Sequence, residues 1–242
     1  MLDALDDICI ASKKQKIRIL VDAESQHFQR GISRTNLELM RKYNRDGYAL
    51  VYHTYQSYLK RTPIVLAEHL AAAAEEGWTL GLKVVRGAYM ATDERSLIHD
   101  SKEDTDKAYN SIAQGAVRRE LGDFGNSRPF PRVNLLLATH NKESALAAHD
   151  LHQKRVAAGL PTVPVHFAQL QGMSDEVSFS LLQIKDSRGG HPKVLKCTTW
   201  GSVGQCMAYL MRRAFENRDA VSRTQEEYAA LKKELRRRLF SL

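Results

Sequence analysis

Cysteine is scarce in this chain: three residues in 242, Cys9, Cys197 and Cys206, with no paired spacing. An odd, scattered set argues against a disulfide scaffold and for a reducing compartment. The nine histidines form no HxH and the cysteines no CxxC, so no metal-ligand motif is expected. No apolar run approaches the ~18 residues that a membrane helix needs, and the mean hydropathy is −0.42. The first residues, MLDALDDICIASKKQ, hold acidic side chains and no apolar h-region. They read as neither a signal peptide nor an Arg-rich transit peptide. No GxGxxG follows an apolar strand pattern and no GxSxG occurs. A dinucleotide-binding Rossmann fold and a hydrolase elbow therefore lack their fingerprints. Aromatics make up only 7%. No Gly-rich, aromatic-interleaved basic patch is present, so no nucleic-acid partner is expected.

What is present is ordinary for a globular chain: 43% hydrophobic and 26% charged residues, with a net charge of +8. Part of that excess is local. Lys232, Lys233, Arg236, Arg237 and Arg238 crowd the last eleven residues. This pattern suits a solvated helix face, or alternatively an anionic membrane surface or a partner.

Short apolar or β-branched runs alternate with helical patterns. The runs lie at 17–22, 49–55, 80–86, 133–140, 164–170 and 194–199. Helical periodicity covers 2–14, 33–43, 64–76, 105–121, 142–158, 174–184, 201–217 and 225–239. Segments 93–106 and 122–132 read as loops or insertions. Strand–helix alternation predicts right-handed crossovers and a parallel sheet. Polar residues gather at the strand C-terminal ends: Asp22 and Glu24, His53 and Tyr55, Arg86 and Tyr89, Thr139 and His140, Gln169. That distribution predicts an α/β fold of the (β/α)8 TIM-barrel type, in one domain over 1–242, with its site at the top face. An open doubly wound sheet would gather them at one switch point. Six β/α units are visible where eight are expected, and the chain opens on a helix. The expectation is therefore a barrel without its first strands.

Four segments could carry chemistry. Tyr209, Arg212, Arg213 and Glu216 fall at i, i+3, i+4 and i+7, one helical face. Paired arginines on a packed face suit a carboxylate or phosphate, with Glu216 holding one of them. The plainer reading is an exposed charged face with Leu210 and Phe215 inward. Lys83 interrupts an apolar strand, where an unpaired ammonium is costly, and Arg86, Gly87 and Tyr89 follow. A snorkelling Lys83 at a strand end is the alternative. Asp22 closes an apolar strand and is a natural counter-charge, or else a cap or a loop ion pair. Thr139, His140 and Asn141 precede a helix and suit a phosphate, although Asn141 alone fits a simple cap. A Schiff-base aldolase would need a lysine inside a strand, and Lys83 is the candidate.

Together these segments resemble the flavin-dependent proline dehydrogenases, in their eukaryotic form. The matching motifs are VDAE (21–24), YHTYQSYLK (52–60), LKVVRGAY (82–89), ATHN (138–141), FAQLQGMSD (167–175) and AYLMRRAFEN (208–217). They occur in the family's order across nearly the whole chain. LKVVRGAY with YLMRRAFEN is the most specific pair.

The resemblance implies a distorted barrel that holds FAD at the strand C-termini. It implies oxidation of L-proline to 1-pyrroline-5-carboxylate, with a quinone as electron acceptor. In this reading Arg212 and Arg213 grip the proline carboxylate and Glu216 orients them. Tyr209 and Tyr89 wall the ring, and Asp22 joins the charged network. Lys83 lies beside the flavin N5, His53 faces the flavin, and Thr139 and His140 approach the phosphates. Arg86, Gly87 and Gln169 lie along the cofactor. Two departures stand out. Cys197 occupies a position where many relatives carry tyrosine, and a lysine-bearing strand that precedes the first helix in the family is missing. The resemblance further implies mitochondrial localisation with peripheral inner-membrane contact. A truncated, non-catalytic remnant or regulatory partner is the competing expectation.

Overall fold

The computed structural model describes residues 2–185, 190–217 and 221–240, with side chains apart from those at 215–217, 221–227 and 230. The order is α1 (Leu2–Gln15), β1 (Ile19–Val21), α2 (Gln26–Tyr43), β2 (Val51–Gln56), α3 (Thr62–Glu76), β3 (Leu80–Val85), α4 (Lys102–Arg118), β4 (Val133–Ala138), α5 (Lys142–Ala157), β5 (Val165–Leu170), α6 (Asp175–Gln183), β6 (Lys193–Cys197), α7 (Val203–Asn217) and α8 (Val221–Phe240). The sheet has six strands in sequence order, and every pairing is parallel. This is the expected α/β architecture, with the expected strands and helices each present.

Strand alternation divides the side chains between two faces. Val51 and Tyr55 of β2, Leu80, Leu82 and Val84 of β3, Val133, Leu135 and Leu137 of β4 and Phe167 of β5 pack outward into one large core with the helices. The opposite parity, with Ala49 from just before β2, builds a smaller inner cluster of Ala49, Tyr52, Leu136 and Ala168. Gly81 sits against this cluster: a Cβ there would strike the Val51 carbonyl oxygen and crowd the Tyr52 ring.

The sheet is curled, and one contact proves it. Arg18, just before β1, donates through Nη1 to Nδ1 of His166 in β5 at 2.6 Å. Four strand spacings of about 4.8 Å would separate these strands by roughly 19 Å in a flat sheet, beyond an arginine's reach. Curvature therefore brings the interior ends of β1 and β5 together, as in part of a barrel wall.

Helix α2 begins at Gln26, earlier than the expected 33. Its N-cap Ser25 makes no side-chain capping bond, so the local signal for a start is weak. The turn is instead fixed from a distance: Asp93 Oδ1 accepts from the Gln26 backbone N–H at 2.7 Å. The expected loop 93–106 gives way to α4 from Lys102, and before it Ile98 forms an antiparallel bridge with Leu59, which follows β2. With Tyr58 they make a third buried cluster.

Candidate active site at the strand C-terminal ends

The inner face of the sheet gathers a charged group near its C-terminal edge. Thr54 of β2 is directly opposite Lys83 of β3, which is opposite Leu136 of β4. Lys83 thus shares the inner face with Leu136, and its side chain is only 13% exposed. Its ammonium forms an ion pair with Asp22, whose carboxylate reaches solvent at 72% exposure. The pair answers the cost of an ammonium inside an apolar strand.

Helix α7 reaches this mouth through Tyr209. Tyr209 hydrogen-bonds with Cys197, at the end of β6, and feels the charges of Arg213 and Asp22. Burial, foremost, together with Cys197 raises its phenol pKa, so the hydroxyl keeps its proton at neutral pH. The Arg213 guanidinium stacks over the Tyr209 ring, 5.2 Å from its centroid. That contact is a cation–π pair, which orients the guanidinium. One constellation therefore joins Asp22, Lys83, Cys197, Tyr209 and Arg213, drawn from the residue after β1 and from β3, β6 and α7. Arg212 is exposed while Arg213 is half-buried, so the two arginines stand in different surroundings. Tyr89 is half-buried on the loop after β3. The Glu216 side chain lies outside the described residues.

Other expected site residues are engaged within the fold. Arg86 Nε donates to Asp106 Oδ1 at 2.6 Å, Nη1 to Thr139 Oγ1 at 2.7 Å and Nη2 to Ser144 Oγ at 3.0 Å. Its guanidinium also stacks on Tyr109, 4.4 Å from the ring centroid. Arg86 thus ties the end of β3 to α4 and α5. Gly87 has φ +140°, and a Cβ there would collide with the Tyr58 ring. The glycine therefore accommodates Tyr58, whose hydroxyl donates to Asp93 Oδ2 at 2.6 Å. Gly87→Ala should destabilise the protein by roughly 2 kcal/mol or more. A fall in Tm of about 4–8 °C in a thermal melt is the expected reading.

His53 and Gln169 face the helices. Asn36 Nδ2 of α2 donates to His53 Nδ1 at 2.9 Å, and His53 Nε2 lies 3.3 Å from Ser33 Oγ. Gln169 Oε1 accepts from Ser178 Oγ of α6 at 2.8 Å. Both have the parity of the outer core, and this outward orientation departs from the expected flavin-facing one. The β2 residue that shares parity with the inner Tyr52 is Gln56, which is buried. Its Nε2 donates to the Glu24 carbonyl at 3.0 Å, just after β1. Counting two residues at a time from Tyr52 would have found it in the sequence.

Thr139 and His140 stand at the end of β4. Thr139 Oγ1 accepts from Arg86 and from the Asn141 backbone N–H at 3.0 Å. His140 Nε2 accepts from the Leu170 backbone N–H at 3.2 Å. Asn141 caps α5, its Oδ1 accepting from the Ser144 backbone N–H at 2.8 Å.

Burial holds His53 at a pKa of about 3 and His69 at about 4. His69 Nδ1 lies 2.6 Å from the Tyr55 hydroxyl. Both folded-state values lie below the ordinary 6.5. Below pH 6.5 the unfolded chain therefore binds protons that the folded chain refuses. Stability falls as pH drops from 6.5 towards 4, by up to about 1.4 kcal/mol per pH unit for each histidine. Urea midpoints at pH 7 and pH 5 should show this loss, and His69→Gln should reduce the difference.

Comparison with known proteins supplies a family. The proline dehydrogenase family model matches residues 3–226. A probable mitochondrial proline dehydrogenase of Schizosaccharomyces pombe is 34% identical over 244 residues, covering 97% of this chain and 49% of the relative. Human mitochondrial proline dehydrogenase 1 is 33% identical, covering 99% of this chain and 39% of its own length. Bovine hydroxyproline dehydrogenase is 34% identical, covering 98% and 51%. The chain thus spans about half or less of the length of these relatives. Among solved structures, proline utilization A from Bdellovibrio bacteriovorus superposes with a TM-score of 0.70 at 18% identity. That match covers 89% of this chain and 21% of the other, and it shows a shared fold. With six parallel strands curled into a partial barrel and a family model matched over nearly its whole length, the chain belongs to the proline dehydrogenase family.

Proposed function

We propose that this chain carries the catalytic part of an FAD-dependent proline dehydrogenase, oxidising L-proline to 1-pyrroline-5-carboxylate. The observation that carries the reading is the inner-face Lys83–Asp22 pair beneath the Tyr209–Arg213 pair of α7, in a chain matched by the family over residues 3–226.

The residues fit a flavin in part. Lys83 offers a sheltered ammonium inside the curl, and Tyr209, Arg213 and Cys197 stand above it. Lys83 would hold the electron-accepting end of FAD, and Thr139 and His140 its phosphate end. His53 and Gln169 are buried against the helices and do not fit contacts to the cofactor, whereas Arg86, bonded to Thr139, and the exposed Gly87 stand at the strand end beside the phosphate end. FAD, when bound, supplies a two-electron acceptor for the hydride that leaves proline C5.

The chain's own residues set up that step. Arg213 binds the proline carboxylate through charge-assisted hydrogen bonds, which are the stronger kind. Its stacking on Tyr209 fixes the direction of the fork. Tyr209 stays protonated and walls the ring without adding charge. Lys83 stabilises negative charge that develops beside it, held ready by Asp22. As C5 loses its hydride and the nitrogen its proton, the C5–N bond becomes the double bond of the product. In this reading Arg212 is a second carboxylate ligand, and Tyr89 and Glu216 border the same site. A quinone takes the electrons onward. The mitochondrial names of the relatives support that location, with the basic α8 against the inner membrane.

Hydroxyproline is the second substrate to test. Cys197 is a small residue beside Tyr209, and a hydroxyproline dehydrogenase is as similar as the proline enzymes. The assay is product formation with L-proline and with hydroxyproline, with FAD and a soluble quinone present. Turnover of L-proline supports the proposal. Turnover of hydroxyproline alone transfers it to that substrate, and turnover of neither favours the non-catalytic alternative.

A further inference from the structure

The opposite end of the sheet carries a second concentration of positive charge, away from the Lys83 site. A cavity of about 340 Å³ opens there, lined by Arg18, Lys193, His166, His149, His152 and Gln153 among others. Arg18 precedes β1, and Lys193 begins β6 directly opposite His166 of β5. The curl of the sheet is what brings Arg18 to them.

The lining has fixed cations and no carboxylate among the described residues. Arg18 donates to the ring of His166 and stands over the faces of Tyr48 and Tyr52, at 5.4 and 5.8 Å. Among the described residues neither Arg18 nor Lys193 is ion-paired with an acid. Both charges are felt at His166, whose pKa they and, first of all, burial hold at about 4. His166 is therefore neutral at physiological pH and does not add to the repulsion. Arg18 is half-buried and Lys193 reaches solvent, so the cavity presents two cations with no acid among the described lining residues to balance them. A guanidinium fork and an ammonium converging with neutral imidazole and amide groups are the donor set that phosphate takes.

We propose that this cavity binds a phosphate group, free or carried on a small organic molecule. The site is independent of the oxidation chemistry, lying at the N-terminal ends of the strands rather than over their C-terminal ends. Its volume exceeds that of one phosphate, so a small phosphomonoester also fits.

Isothermal titration of the full chain with inorganic phosphate and with glycerol phosphate, at constant ionic strength, tests this. Saturable binding of either is expected, and their relative strength tells the free from the carried group. Lys193 is exposed, so Lys193→Gln should fold normally and weaken binding by about tenfold or more. Arg18→Lys keeps the charge but loses the fork and should weaken it too. Arg236→Gln, in the basic α8, should leave it unchanged. No saturable binding of either probe, equal binding by Lys193→Gln, or an equal loss in Arg236→Gln would overturn the proposal. Should Arg18→Lys fail to fold, the Lys193→Gln comparison decides alone.

Discussion

Arg213→Ala raises the KM for L-proline by about 10- to 100-fold, while product formation at saturating substrate falls much less. Arg213 is half-buried on α7, and its guanidinium is fixed over the Tyr209 ring at 5.2 Å. A charge-assisted bond to a carboxylate in such a place is worth roughly 1.5–3 kcal/mol. That binding is made in the ground state and the transition state alike, so its loss appears in KM. Arg213→Lys keeps the charge but not the planar fork and recovers only part of the affinity. Arg212 provides the internal comparison. It is exposed, so Arg212→Ala should raise KM less. A steady-state series over proline concentration reads all three variants, and an unchanged KM in Arg213→Ala removes that residue from the carboxylate site.

Lys83→Met lowers kcat by about 100-fold or more, with a smaller change in KM. Methionine keeps most of the volume and the apolar stem, so the inner face of β3 stays filled. What disappears is the ammonium. A preorganised donor aimed at developing charge is typically worth 10²–10³ in rate, and Lys83 is the inner-face cation among the described strand residues at this end of the sheet. Asp22, left without its partner, is 72% exposed and remains hydrated, so folding should survive. Circular dichroism of the variant checks that point. A second variant, Asp22→Asn, removes the counter-charge and keeps the ammonium, and it should cost less activity than Lys83→Met. If Lys83→Met retains full kcat, Lys83 serves the fold alone.

The alternation of strands and helices was legible because buried parallel strands are apolar on both faces. Runs such as 133–138 stand out against the amphipathic helices. Lys83 was legible for the same reason, as an ammonium between Leu82 and Val84 in such a run. The orientation of site residues was harder to read. His53 and Gln169 sit close to strand ends, and position alone suggested the mouth, yet their parity puts them among the helices with Asn36 and Ser178. Gln56, three residues beyond His53, has the inward parity. Arg86 and Gly87 were illegible in another way. Their partners, Asp106, Thr139, Ser144 and Tyr58, are distant in sequence, and a motif shows which residues recur without showing what they touch. The start of α2 was hidden because a contact from Asp93 fixes it in place of a local cap. The curl of the sheet, which makes both the Lys83 site and the Arg18–His166 cavity, has no local signal at all.

Proline oxidation by this chain is tested most simply by an anaerobic titration of the purified, FAD-loaded chain with L-proline, following the visible absorbance of the flavin. The expected result is a yellow protein whose colour bleaches on proline addition in a Lys83-dependent way, with 1-pyrroline-5-carboxylate formed in equal amount. A chain that fails to retain FAD, or that retains it and stays yellow at saturating proline, would contradict it.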